Sequence, residues 1–187
     1  NRDDLSDGGA EHYAYIVTEI KQKFPQVKVE ILIPDFLEDK AALNTVIAAH
    51  PDVINHNIET VPRLYPIARK GSLYKRSLAV LAYVKQAAPH ILVKSGVMVG
   101  LGERTEELVD TFVDIRKQGV DILTLGQYLQ PDKNNLSVEK YYSPDEFDQL
   151  KSIALAYGYP FVFSGPMIRS SYLADVVFEK TIAHASS

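Results

Sequence analysis

Hydrophobic positions along the chain alternate between a helical spacing and short runs rich in β-branched residues. Five segments place apolar residues at helical spacing, and several begin at a capping residue such as Asp39, Arg104-Thr105 or Ser143. The predicted helices are 10–23, 40–49, 77–88, 105–118 and 144–157. The strands predicted between them are 27–33, 52–55, 90–100, 121–126 and 161–165. This alternation predicts right-handed βαβ units on a parallel sheet, either an open doubly wound sheet or a barrel.

Polar residues cluster where each predicted strand ends and the chain turns toward the next helix. These strand ends are 34–36, 55–60, 94–96 with 100–103, 126–131 and 164–172. In a parallel α/β barrel such ends share one rim, which is where active sites of barrel enzymes lie. An open dinucleotide-binding sheet would carry G-x-G-x-x-G after a strand, and the sequence has no such motif. The pattern therefore favours an enzyme built on a barrel.

Each polar strand end also has a purely structural interpretation. Asn55, Asn57 and Glu59 share one face of an extended segment, so they predict either a ligand site or capping of neighbouring backbone. Lys94 predicts either an anion site or a solvated charge. The glycines of GLGE (100–103) allow the backbone to approach a ligand, and they equally suit an ordinary turn. These alternatives stay open at the level of residue pattern.

The metal-binding and redox chemistry available to the chain is limited by its residue content. There is no cysteine, which excludes disulfides, thiolate nucleophiles and any cysteine-ligated metal held by this chain alone. The five histidines form no H-x-H or H-E-x-x-H spacing, so structural roles are expected for them. His56 is the exception that stays open, because it lies inside the polar segment 55–60.

Composition predicts a single globular domain spanning residues 1–187. The chain is 46% hydrophobic and 24% charged, with a formal net charge of -4. Acidic and basic residues are interspersed, so no basic face indicates a nucleic acid or a membrane surface as partner. No apolar run approaches the roughly 18 residues of a membrane span, and residues 1–15 lack the features of a signal peptide. An intracellular location is expected.

Beyond periodicity, a succession of motifs resembles lipoyl synthase, a family of the radical S-adenosylmethionine superfamily. The motifs, in order, are NRDDLSDGGA, VEILIPDF, VINHNIETVPRLYP, YKRSL, KSGVMVGLGE, DILTLGQYLQP, YYSPDEF and SGPMIRSSY. Val93 and Asn135 depart from residues common in the family, which has Thr and His there. The family's two cysteine triplets are also missing, so we expect this chain to be the C-terminal part of a longer enzyme. The fold implied is an α/β partial parallel (β/α) barrel of the radical S-adenosylmethionine type, lacking its first strands.

The resemblance implies a sulfurtransferase that inserts two sulfur atoms into a protein-bound octanoyl-lysine chain to give lipoyl. Its cofactors would be two 4Fe-4S clusters and S-adenosylmethionine, with no cluster expected on this cysteine-free chain, which by itself would be inactive. Its partners would be octanoylated lipoyl-carrier domains, on E2 subunits of 2-oxoacid dehydrogenases or the glycine cleavage H protein, and an electron donor such as ferredoxin or flavodoxin. Nucleic acid and membrane are not expected as partners. The location implied is the cytoplasm, or a mitochondrion or plastid in a eukaryote.

The resemblance also assigns roles to individual residues. Ser171, with Ser170 as the alternative, would be the serine ligand of the auxiliary 4Fe-4S cluster, and Arg169 would act beside it. Residues implied to bind S-adenosylmethionine are Asn57, Glu59, Lys94, Ser95, Gln127 and Leu129. Without the resemblance, Ser170 and Ser171 read as caps of a following helix. Two rival functions are another radical S-adenosylmethionine enzyme, and a cluster-less module that binds a nucleoside or a carrier protein.

Overall fold

The computed structural model describes residues 5–169, and within them every predicted helix and strand is present. The helices are α1 (Ala10–Lys23), α2 (Lys40–Ala48), α3 (Tyr65–Ala68), α4 (Tyr74–Ala87), α5 (Thr105–Lys117) and α6 (Pro144–Ala156). The strands are β1 (Glu30–Leu32), β2 (Val53–Asn55), β3 (Leu92–Val99), β4 (Ile122–Gln127) and β5 (Phe161–Gly165). The sequence pattern does not predict α3, because four residues are too few to show a helical period. None of the described helices is long and apolar enough to cross a membrane.

The five strands form one sheet in which all neighbouring pairs are parallel. Their spatial order, β1-β2-β3-β4-β5, is the order along the chain. Since every strand runs the same way, all the carboxyl ends lie at one edge, as the barrel prediction requires. Within residues 5–169, β1 and β5 each pair on one side only, so the sheet is not closed. The predicted α/β class and partial parallel barrel are confirmed.

The two faces of the sheet are packed differently. On the face covered by helices, the β3 residues Val93, Val97 and Val99 belong to a large buried core that includes Phe112 of α5. Burying each such side chain contributes about 1.5–3 kcal/mol, so this face holds the fold together. The opposite face carries a small apolar cluster formed by Val53, Leu92, Ile122, Phe161 and Phe163. That second face has room for polar groups nearer the carboxyl edge.

Side-chain hydrogen bonds cap the starts of helices α2, α5 and α6. Asp39 accepts a hydrogen bond from the Ala41 amide at 2.8 Å at the start of α2. At α6, Ser143 and Glu146 form the reciprocal pair of a capping box. At α5, the Glu107 carboxylate accepts from the Arg104 amide at 2.8 Å. Each cap satisfies amides that a helix start leaves open, so the predicted cap positions are confirmed.

Three successive residues after β1 have left-handed backbone conformations. Phe36, Leu37 and Glu38 have φ values of 45°, 52° and 65°. For a residue other than glycine this conformation costs about 1–2 kcal/mol, because Cβ approaches the following carbonyl oxygen. Asp35 partly offsets this cost by accepting from the Leu37 amide at 3.1 Å. The turn therefore carries local strain at the same edge of the sheet as the polar strand ends.

Replacing Glu38 by glycine should stabilise the protein. Glu38→Gly relieves the left-handed strain, and we expect the free energy of unfolding to rise by about 1 kcal/mol in denaturant titration. The matched control is Glu106→Gly in helix α5, where glycine should lower stability because it disfavours a helix. A loss of stability in Glu38→Gly would show that the turn is not strained.

Candidate functional site

A cavity of about 310 Å³ opens at the carboxyl edge of the sheet, beside the ends of β3 and β4. Its wall is completed by the turn after β2 and by the residues that follow β5. Its apolar lining includes Val97, Met98, Tyr128, Pro131 and Ile168. The predicted site residues that line it are Asn57, Glu59, Gln127, Leu129 and Arg169. Residues from four separate strand ends thus meet in one place, as the rim prediction expects.

The floor of the cavity is open because Gly96 has no side chain. A Cβ atom at this position would lie 2.9 Å from both Asn57 Oδ1 and Thr124 Oγ1. Asn57 Oδ1 is buried and has no hydrogen-bond partner among residues 5–169. A buried acceptor without a donor is costly, so this oxygen is suited to accept a hydrogen bond from a ligand.

Glu59 places a buried carboxyl group in the same wall. Its backbone pairs with β3, since the Glu59 amide donates to Gly96 O at 2.9 Å and the Met98 amide donates to Glu59 O at 2.8 Å. Burial raises the pKa of the Glu59 carboxyl, whereas Asn57 and the positive charge of Arg69 lower it. The carboxyl is therefore placed to exchange its proton or to bind a positively charged group.

The side chain of Gln127, a residue that lines the cavity, is already hydrogen-bonded to main-chain groups. Its side-chain amide donates to Tyr128 O and Lys140 O, both at 3.0 Å, and its Oε1 accepts from the Tyr142 amide at 3.0 Å. The carbonyl of Gln127 faces Arg169, whose Nη1 lies 3.5 Å away. The side chain of Gln127 therefore fixes the long connection between β4 and α6 against the strand end.

Glu103 supports the same connection, and sequence reasoning did not single it out. Its carboxylate accepts from the Gly100 amide at 2.7 Å, the Leu101 amide at 2.8 Å and the Tyr142 hydroxyl at 3.1 Å. The sequence feature that could have indicated this role is a glutamate three residues after Gly100, next to the end of a predicted strand. GLGE is thus a turn closed by its own glutamate.

Comparison with known proteins identifies sequence relatives across nearly the whole chain. Lipoyl synthase of Desulfotalea psychrophila is 50% identical over 179 residues, covering 96% of this chain and 60% of that protein. The enzymes so named in Rubrobacter xylanophilus and Escherichia coli are 53% and 51% identical, over 93% and 94% of this chain. In sequence, the chain is similar to lipoyl synthases over nearly its whole length. It spans 54 to 60% of the length of these three relatives.

Solved structures agree with the fold. Methylornithine synthase superposes with a TM-score of 0.55 at 16% identity, covering 92% of this chain and 62% of that one. A protein described as a putative phosphonomutase from Burkholderia cenocepacia gives 0.50 at 15% identity, over 95% and 77% of the two chains. At these identities the likeness concerns the fold alone. No family model matches the chain.

Two predicted cofactor-binding residues, Lys94 and Ser95, lie outside the cavity wall. Lys94 is fully buried in β3 and its Nζ pairs with both carboxylate oxygens of Glu30, at 2.8 and 2.9 Å. The Ser95 hydroxyl accepts from the Ile58 amide at 3.2 Å. Contact of these side chains with S-adenosylmethionine stays a prediction.

The predicted ligand of the auxiliary cluster is Ser171, with Ser170 as the alternative. Ser170 and Ser171 lie outside the described residues, whereas Arg169 is exposed at the mouth of the cavity. Among residues 5–169 no group of three or more His, Asp or Glu side chains is arranged to hold a metal ion.

His56, the histidine left open by the sequence, is buried beside the end of β1. It is 1% exposed, and its Nδ1 lies 3.0 Å from Ile33 O, so Nδ1 carries the proton. Nε2 is buried and has no partner in the described part of the chain. Burial lowers the pKa of His56 to about 4, and the Arg69 charge adds to this effect. The geometry gives His56 a structural role as a neutral side chain.

Acid should therefore destabilise the protein through His56. A depressed pKa in the folded state gives stability that is complete above pH 6.5 and is lost as pH falls toward 4. Each pKa unit corresponds to about 1.4 kcal/mol. Between pH 6.5 and 4 the free energy of unfolding should therefore fall in the wild type by on the order of 3 kcal/mol more than in His56→Gln. Chemical denaturation at several pH values measures the difference, with exposed His90→Gln as control. Equal pH dependence in His56→Gln and wild type would contradict this assignment.

Proposed function

We propose that this chain provides the S-adenosylmethionine-binding part of a lipoyl synthase. The observation that carries the proposal is the cavity on the shared rim, where the free acceptor of Asn57 and the buried carboxyl of Glu59 face an apolar wall. The sequence relatives, about 50% identical over nearly the whole chain, support the same assignment.

The cavity suits the mixed chemistry of S-adenosylmethionine. Its volume falls in the usual range for small-molecule sites, which is about 300–1,000 Å³. Ribose hydroxyls and an ammonium group need acceptors, and Asn57 and Glu59 offer them. Adenine needs an apolar surface and backbone hydrogen bonds, which Met98, Leu129 and the main chain of Gln127 can supply. We expect these five residues to bind and orient the ligand.

Sulfur insertion into a protein-bound octanoyl-lysine chain is the activity we propose for the whole protein. The substrates would be octanoylated carrier domains, and a ferredoxin or flavodoxin would supply electrons. Two 4Fe-4S clusters would supply the radical chemistry and the sulfur. The residues of this chain do not fit such a cluster by themselves, since it has no cysteine. The required thiolates must come from outside it.

Binding of S-adenosylmethionine to the chain can be measured directly. We expect isothermal titration calorimetry to show binding by the wild type and roughly tenfold weaker binding by Asn57→Ala, because a buried ligand donor would lose its acceptor. The control is Asn44→Ala on α2, whose side chain accepts from Tyr83 at the surface and should leave affinity unchanged. Equal binding by Asn57→Ala and wild type would exclude Asn57 as a ligand contact.

Ligation of an auxiliary cluster by Ser171 is proposed from the resemblance alone. In a full-length lipoyl synthase that carries both cysteine triplets, Ser171→Ala should alter the Mössbauer signature of one cluster and leave the other unchanged. Formation of 5′-deoxyadenosine should persist while lipoyl formation is lost. Ser170→Ala is the control and should change neither spectrum nor product. If both serines merely cap a helix, each variant should lose about 1 kcal/mol of stability and keep its activity.

A further inference from the structure

The carboxyl group of Glu59 is presented by an unusually tight turn. Glu59 has φ of 70°, and the Thr60 amide donates to Ile58 O at 2.9 Å, which closes a three-residue γ-turn around Glu59. A γ-turn with positive φ is rare and strained, and it persists only where surrounding contacts hold it.

Contacts from β3 fix only one side of this turn. The Glu59 amide and carbonyl both pair with β3, and the Ile58 amide donates to Ser95 Oγ. Among the described residues, the Asn57 carbonyl accepts no main-chain hydrogen bond, and the Ile58 carbonyl accepts one, from the Thr60 amide within the turn. Further hydrogen bonds to these two carbonyls come from side chains in another part of the chain.

Tyr65 and Arg69, one turn apart at α3, supply those hydrogen bonds. The Tyr65 hydroxyl donates to Ile58 O at 2.7 Å, and Arg69 Nη1 donates to Asn57 O at 2.8 Å. The same Nη1 lies 3.2 Å from the Tyr65 hydroxyl and 3.2 Å from Ser77 Oγ, so the two side chains also support each other. Neither side chain lines the cavity.

We propose that Tyr65 and Arg69 are positioning residues that hold the Glu59 γ-turn and so keep the Glu59 carboxyl facing the cavity. The identity of the ligand as S-adenosylmethionine rests on the proposed function, whereas the positioning of Glu59 does not. The pair does not line the cavity and acts through two backbone carbonyls, and the Arg69 charge in addition lowers the pKa of the Glu59 carboxyl. Replacing either side chain should change the orientation of the Glu59 carboxyl without removing any group from the cavity wall.

Tyr65→Phe tests this with little change in volume. Tyr159→Phe is the matched control, because the Tyr159 hydroxyl also donates to a buried backbone carbonyl, Phe112 O at 2.6 Å, but lies before β5, away from the rim. Both variants should lose similar stability in denaturant titration. Only Tyr65→Phe should bind S-adenosylmethionine more weakly, by roughly five- to tenfold, in calorimetry well below the unfolding temperature.

A double-mutant cycle shows whether the pair acts through Glu59. In a Glu59→Gln background, Tyr65→Phe and Arg69→Met should each weaken binding much less than in the wild type, because the group that they position is already altered. Equal loss of affinity in both backgrounds would overturn the proposal. So would the same loss of affinity in Tyr159→Phe, which would indicate a general effect of stability.

Amide hydrogen exchange gives a readout that needs no ligand. In Tyr65→Phe the Thr60 amide, which closes the γ-turn, should exchange at least tenfold faster than in Tyr159→Phe, while amides at the centre of β3 keep their protection. Unchanged exchange at Thr60 would overturn the inference. If exchange changes as expected but the wild type does not bind S-adenosylmethionine, the proposed function fails and the positioning role stands.

Discussion

Pairing of the segment after β2 with the middle of β3 determines where the polar groups of the cavity lie. Regular pairing ends where Asn55 faces Lys94, and it resumes where Glu59 pairs with Val97. Residues 56–58, between these two points, do not take part in regular strand pairing. Because β3 is held on its other side by six paired residues of β4, the excursion is anchored on a rigid strand. Asn57 and Glu59 therefore face the cavity instead of continuing a regular strand.

The space that these groups face exists because small residues occupy the inner face of the sheet. Gly96 and Gly126 sit where any side chain would meet Asn57, Thr124 or the backbone of Ile168. Apolar side chains fill the sheet's inner face nearer the amino ends, whereas the carboxyl edge remains unfilled. The same strands thus provide both a packed core against the helices and an open cavity at the rim.

Buried charge near this edge is balanced locally. Lys94 and Glu30 neutralise each other below the cavity, and an ion pair with two short hydrogen bonds offsets part of the desolvation cost of both charges. Among residues 5–169 Glu59 has no such ion pair, and burial accordingly raises the pKa of its carboxyl. His56 meets the same constraint by remaining neutral. Of these groups only Glu59 lines the cavity, so it is the one whose charge a bound ligand can change.

The sequence pattern by itself determined the order of helices and strands, the parallel sheet and the set of polar strand ends, because hydrophobic period and capping residues are local. That the barrel is partial was implied by the family resemblance. Its motifs also indicated the lipoyl synthase family, which the relatives support. The sequence could not show that Lys94 forms an ion pair with Glu30, 64 residues away in the chain, whereas Asn57 faces the cavity. It also missed Glu103, Tyr65 and Arg69. Their roles depend on contacts with backbone groups that only the folded chain brings within hydrogen-bonding distance, so tertiary structure alone decided them.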